Sequence, residues 1–66
     1  MKESRIMTIL YKGKTEEDIM EMLDNKGIKY EWWFSVAGED SEIEYKSDKT
    51  YKVKFHNGIC VGVLSN

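Results

Sequence analysis

The amino-acid sequence predicts an α+β fold, a single helix packed on a small mixed sheet of about four strands. Three observations carry this prediction. Ile28, Tyr30, Trp32, Phe34 and Val36 alternate with Lys29, Glu31, Trp33 and Ser35, the period of two of a strand with one buried face. Thr15-Glu16-Glu17-Asp18 has the form of a helix capping box and precedes apolar residues at helical spacing. Asn57-Gly58 separates two strand-like runs, and this pair accepts the positive φ angles of a tight hairpin turn.

Taken in order, Arg5 to Tyr11 reads as a strand, closed by Lys12-Gly13-Lys14. Ile6, Thr8 and Leu10 would form one face and Met7, Ile9 and Tyr11 the other, and two apolar faces suit an interior strand. The helix is expected over Glu16 to Asn25. Its first turn holds three acids, which favour the positive end of the helix dipole. Ile19, Met22, Leu23 and Lys26 share a face, with Met20 on the flank. Lys26-Gly27 supplies a basic last turn and a glycine for the left-handed C-terminal position. Strand, helix and the strand at 28–36 would make a βαβ unit with parallel strands and a right-handed crossover. Tyr30, Trp32 and Phe34 would then lie beneath the helix. Residues 37–41 read as a loop. Residues 42–46 fit either a short strand, with Ile43 and Tyr45 alternating, or one helical turn. Residues 50–55 form a strand with Tyr51, Val53 and Phe55 on one face, His56-Asn57-Gly58 is the turn, and residues 59–64 return.

Composition narrows the function classes. A chain of 66 residues is read as one domain. At this size only about 60% of the unfolded surface is buried, so stability is marginal without help. Cys60 is the sole cysteine, which rules out an internal disulfide; one cysteine and one histidine are too few for a structural zinc site. No cofactor or metal is expected, and association with a protein partner or with itself becomes the natural source of added stability. No apolar run reaches the roughly 18 residues of a membrane span. Met1-Lys2-Glu3-Ser4 leads into a strand-like run and not a signal peptide, so a cytoplasmic protein is expected. The net charge of −2 argues against general nucleic-acid binding.

Two segments resemble the glutaredoxin family. Thr8-Ile9-Leu10-Tyr11, the helix, and Lys26-Gly27-Ile28-Lys29-Tyr30-Glu31 are similar to that family's first βαβ unit. The run Thr50-Tyr51-Lys52-Val53-Lys54-Phe55-His56-Asn57-Gly58-Ile59-Cys60-Val61-Gly62 is similar to its C-terminal hairpin, with Phe55-x-Asn57-Gly58 and Val61-Gly62 at the family's spacing. The resemblance implies a shared, truncated thioredoxin-like sheet plan. It does not carry the family's chemistry. The region that would hold the reactive cysteine is Gly13-Lys14-Thr15-Glu16-Glu17-Asp18, Lys52 stands where the family has its cis-proline, and the last helix is missing.

Few side chains are candidates for chemistry. A catalytic thiol needs a lowered pKa from a helix N-terminus or a cation, and Cys60 sits inside a strand between Ile59 and Val61. His56 is a turn residue with no designated nucleophile. The acids of the helix and of residues 39–48 read as solvated faces that could dock on a basic partner. Trp33 projects with Lys29, Glu31, Lys52 and Lys54 onto the face that a single helix leaves bare. These residues and His56 form the expected partner-binding surface. The expected function is a small non-catalytic protein-interaction module, a regulator or inhibitor of a larger partner of the kind phages and mobile elements encode. The alternatives are a degenerate glutaredoxin-like redox protein using Cys60, and single-stranded nucleic-acid binding through the face of Trp33 and the lysines.

Overall fold

Ser4 and Thr15 each begin a helix. In the computed structural model, which describes residues 1–35 and 37–66, the Ser4 side chain accepts from the Met7 N–H at 3.3 Å. It opens α1 (Arg5–Tyr11). Thr15 opens α2 (Glu16–Asn25) through the expected capping box: its hydroxyl accepts from the Asp18 N–H, and the Asp18 carboxylate accepts from the Thr15 N–H. Gly27, at φ 70°, closes α2, and the Ile28 N–H reaches back to the Leu23 carbonyl at 2.9 Å.

Five strands complete the fold: β1 (Lys2–Glu3), β2 (Tyr30–Phe34), β3 (Asp40–Lys46), β4 (Thr50–His56) and β5 (Ile59–Ser65). They form one sheet in the order β1-β5-β4-β3-β2, and every pair is antiparallel. Residues 42–46, which fitted two conformations, are strand. Asn57 and Gly58, at φ 53° and 80°, make the two-residue hairpin turn. A bulge interrupts the β4–β5 pairing: Phe55 faces Cys60 while Lys54 faces Gly62, which leaves Val61 as the extra residue.

The expected βαβ unit is therefore corrected. Residues 5–11 are helix and not an interior strand, so the described residues form two helices and five strands with no parallel pair among them. The cause lies in the run itself. It is apolar almost throughout, so a period of two and a period of 3.6 both fit it, and the Ser4 cap selects the helix. Seven residues cannot hold a helix alone. α1 is held by β5: the Thr8 hydroxyl accepts from the Val63 N–H at 3.0 Å and donates to the Val63 carbonyl at 3.3 Å.

Tyr11 of α1 and Ile19 and Leu23 of α2 share one core with Ile43, Tyr45, Val53, Phe55, Cys60 and Val63. Both helices thus lie on the same sheet face. Ile19 and Leu23 are almost fully buried, and each contributes about 1.5–3 kcal/mol through that burial. The expectation that Tyr30, Trp32 and Phe34 lie beneath α2 holds only in part. Trp32 is on the helix side, opposite Ile43, and its indole N–H donates to the Glu16 carboxylate. Yet β2 is the outermost strand, so Trp32 remains 40% and Phe34 63% exposed. Val36, which the alternation places on the same buried face, lies outside the described residues.

Candidate surface on the open sheet face

Alternation along β2, β3 and β4 sends a second set of side chains to the opposite face, and among the described residues no element covers it. Register assembles three cross-strand rows there. Glu31 faces Glu44, which faces Lys52, which faces Leu64. Trp33 faces Glu42, which faces Lys54. Asp40 faces His56, which faces Ile59. Of the six residues expected from the sequence, Trp33, Glu31, Lys52, Lys54 and His56 share this face. Lys29 precedes β2 and lines a second depression with Glu31, Glu44 and Lys46, one that Trp33 does not border.

Trp33 is 43% exposed. It borders a shallow depression of about 440 Å3 lined also by Phe34, Glu42, Lys54, His56 and Val61. The depression has apolar walls and paired charges. The Lys54 ammonium bonds the Glu42 carboxylate, and the Lys52 ammonium lies 3.9 Å from it. Such surface pairs add at most about 1 kcal/mol to stability. Their larger effect is on recognition, since Lys52 and Lys54, two of the three lysines of the expected nucleic-acid face, lie within ion-pair distance of a carboxylate. His56 Nδ1 lies 2.7 Å from Asp40 Oδ1, and this hydrogen bond raises the imidazole pKa above its ordinary value.

Asp40 and Glu42 were expected only as members of an acidic group that could dock on a basic partner, Phe34 was expected beneath the helix, and Val61 was not singled out from the sequence. Glu42 and Asp40 become part of the site only through the β3–β4 register, and Val61 only through the bulge. A further apolar surface was hidden by the misread first element. Ile6, Ile9 and Leu10 form an exposed stripe along α1.

Cys60 is 1% exposed on the other side of the sheet, among the core residues. Burial pushes its thiol pKa up, opposing the thiolate that nucleophilic chemistry requires, and a backbone hydrogen bond at Gly62 offsets this only in part. Among the described residues no group of three or more histidine, cysteine, aspartate or glutamate side chains is arranged to hold a metal. Among them, too, no helix is long and apolar enough to cross a membrane. Comparison of the chain with protein-family models, curated proteins and solved structures yields no match.

Proposed function

We propose that this chain is a small non-catalytic protein-interaction module whose recognition surface is the open sheet face around Trp33. The observation that carries the reading is the uncovered depression that Trp33 and Val61 border, with Phe34 at the strand edge, beside the Lys54–Glu42 ion pair and the His56–Asp40 hydrogen bond. A half-exposed tryptophan beside a small apolar patch is the composition of an interface centre, and paired charges at its rim give orientation more than affinity. A regulator or inhibitor that docks on a larger protein suits this surface. The Glu42 clamp on Lys52 and Lys54 supports a protein partner over single-stranded nucleic acid. The burial of Cys60 supports binding over redox chemistry. The likeness to glutaredoxins now rests on the hairpin and the Lys26–Glu31 step, because Thr8–Tyr11 lies in α1.

A photo-crosslinking amino acid placed at position 33, with position 49 in the β3–β4 turn as control, tests the reading in cells that express the protein. Adducts specific to position 33 are expected. Equal labelling from both positions would remove the surface from consideration.

A further inference from the structure

The two edges of the sheet are treated in opposite ways. The β5 edge is sealed by the chain's own N-terminal segment. β1 pairs with Leu64 and Ser65, the Ser4 N–H donates to the Val63 carbonyl at 2.8 Å, and the Thr8 hydroxyl serves both backbone groups of Val63. Further along, the Gly13 N–H donates to the Cys60 carbonyl at 2.9 Å and the Cys60 N–H to the Lys14 carbonyl at 2.8 Å. The β2 edge has no such cover among the described residues. The Ser35 N–H donates to the Asp40 carbonyl at 2.7 Å, which makes Ser35 and Asp40 a hydrogen-bonded pair. Antiparallel alternation then turns Trp33 and Glu31 inward to β3 and leaves the N–H and C=O groups of Tyr30, Trp32 and Phe34 pointing outward. The strand carries few of the usual protections: no proline, no lysine and no bulge lies within Tyr30–Phe34, and Glu31 is its one charge.

We propose that this edge pairs with the β2 edge of a second copy of the chain, antiparallel about a two-fold axis at Trp32, to form one continuous ten-stranded sheet. The pairing is made by backbone groups of the edge and not by the open-face depression, although Trp33 and Phe34 border both. Its test reads mass and crosslinking, so its failure is distinguishable from failure of the proposed function. Self-pairing is chosen by what each register brings together. With Trp32 opposite Trp32, Tyr30 meets Phe34 on the helix side and Glu31 meets Trp33 on the open side. All three outward-pointing residues find backbone partners, and the aromatic cross-strand pairs are of the favourable kind. A shift by one hydrogen-bonded step in one direction sets Glu31 against Glu31, a like-charge pair. A shift in the other direction leaves Tyr30 without a partner inside the strand. The interface is isologous, as a two-fold dimer requires. A five-residue edge buries less than the roughly 800 Å2 per partner of a standard stable interface, so the dimer forms in a concentration-dependent manner. Each copy carries a net charge of −2, so added salt strengthens the association, the opposite of nucleic-acid binding.

Sedimentation equilibrium of the full chain is expected to show the mass rising with concentration from 7.8 kDa towards twice that value. Phe34→Pro removes an outward N–H and leaves the β2–β3 bonds in place. It is expected to hold the chain monomeric with its melting curve retained; Phe34→Lys serves the same purpose should the proline variant not fold. Ile9→Ser, on the exposed α1 stripe, is expected to dimerise as the parent does. Register is read by crosslinking in a Cys60→Ser background. Hydrogen-bonded antiparallel pairs place Cα atoms about 5.5 Å apart, within disulfide range, so Trp32→Cys is expected to crosslink to its own copy on oxidation. Tyr30→Cys is expected not to, since its copies would lie roughly 14 Å apart. A monomer at every concentration would overturn the proposal. So would a dimer lost in Ile9→Ser but kept in the Phe34 variants, or crosslinking as efficient from position 30 as from position 32.

Discussion

Removing one phenolic oxygen from the core tests how α1 is tied to the sheet. The hydroxyls of Tyr11 and Tyr45 lie 3.3 Å apart, and both residues are buried. Tyr45→Phe deletes one hydroxyl and leaves the Tyr11 hydroxyl buried without that partner, and Tyr11→Phe does the reverse. Orphaning a buried hydroxyl costs about 1–3 kcal/mol, whereas removing both partners together can be nearly neutral. Each single variant is therefore expected to lose about 1–3 kcal/mol. A domain this small has roughly 3–10 kcal/mol in all, so the loss is easily read from urea denaturation. The double variant should lose clearly less than the sum, with a coupling of about 0.5–3 kcal/mol. Alkali supplies an independent readout. Burial first, and the Tyr11 hydroxyl second, push the Tyr45 phenol well above its ordinary value. The unfolded chain releases this proton near pH 10 while the folded chain keeps it, so the contribution is intact below about pH 10 and is lost as pH rises beyond. Tyr45→Phe should flatten that alkaline decline. Strict additivity of the two single variants, with an unchanged alkaline limb, would mean that the hydroxyl pair does not tie α1 to the sheet.

Three further outcomes are expected. Thr15→Ala removes the capping-box acceptor and should lower stability by about 0.5–2 kcal/mol; an unchanged denaturation midpoint would contradict the cap. His56 should titrate above its ordinary value, because the Asp40 hydrogen bond favours the protonated ring. Its stabilising contribution is thus present below about pH 6.5 and lost as pH rises through the folded pKa. Nuclear magnetic resonance titration should show the midpoint fall in Asp40→Asn, and an unmoved midpoint would refute the pairing. Native Cys60 should resist alkylation near neutral pH and react rapidly once the chain is unfolded in urea, while fast labelling of the folded protein would revive a redox role.

The parts of the fold legible in the sequence are those set by local chemistry. Thr15 and Asp18 define where α2 begins, Gly27 closes it, and Asn57-Gly58 turns the hairpin, each through contacts within a few residues. Residues 5–11 were misread because their apolar content does not choose a period, and Ser4 was the only local signal for a helix. That single substitution of strand by helix also removed the parallel pairing, since β2 then had only β3 beside it. The grouping of Trp33, Lys52 and Lys54 was legible because period-two alternation survives any topology, whereas His56, read as a turn residue, joins the face as the last residue of β4. The clamp of Glu42 on the lysines was not, because it needs the β3–β4 register. The partial exposure of Trp32 was not either, because strand order, and not alternation, places β2 at the sheet edge.

Trp33 carries the account of function, and its side chain can be removed without touching the core. Affinity capture with the parent chain, Trp33→Ala and Ile9→Ser, from cells that express the protein, measures its role directly when the captured proteins are quantified. Each variant is first checked for an unchanged melting curve. The account predicts a partner retained by the parent and by Ile9→Ser, and depleted at least tenfold with Trp33→Ala, as the loss of about 2 kcal/mol at an interface hot spot implies. Equal capture by the parent and by folded Trp33→Ala would contradict it.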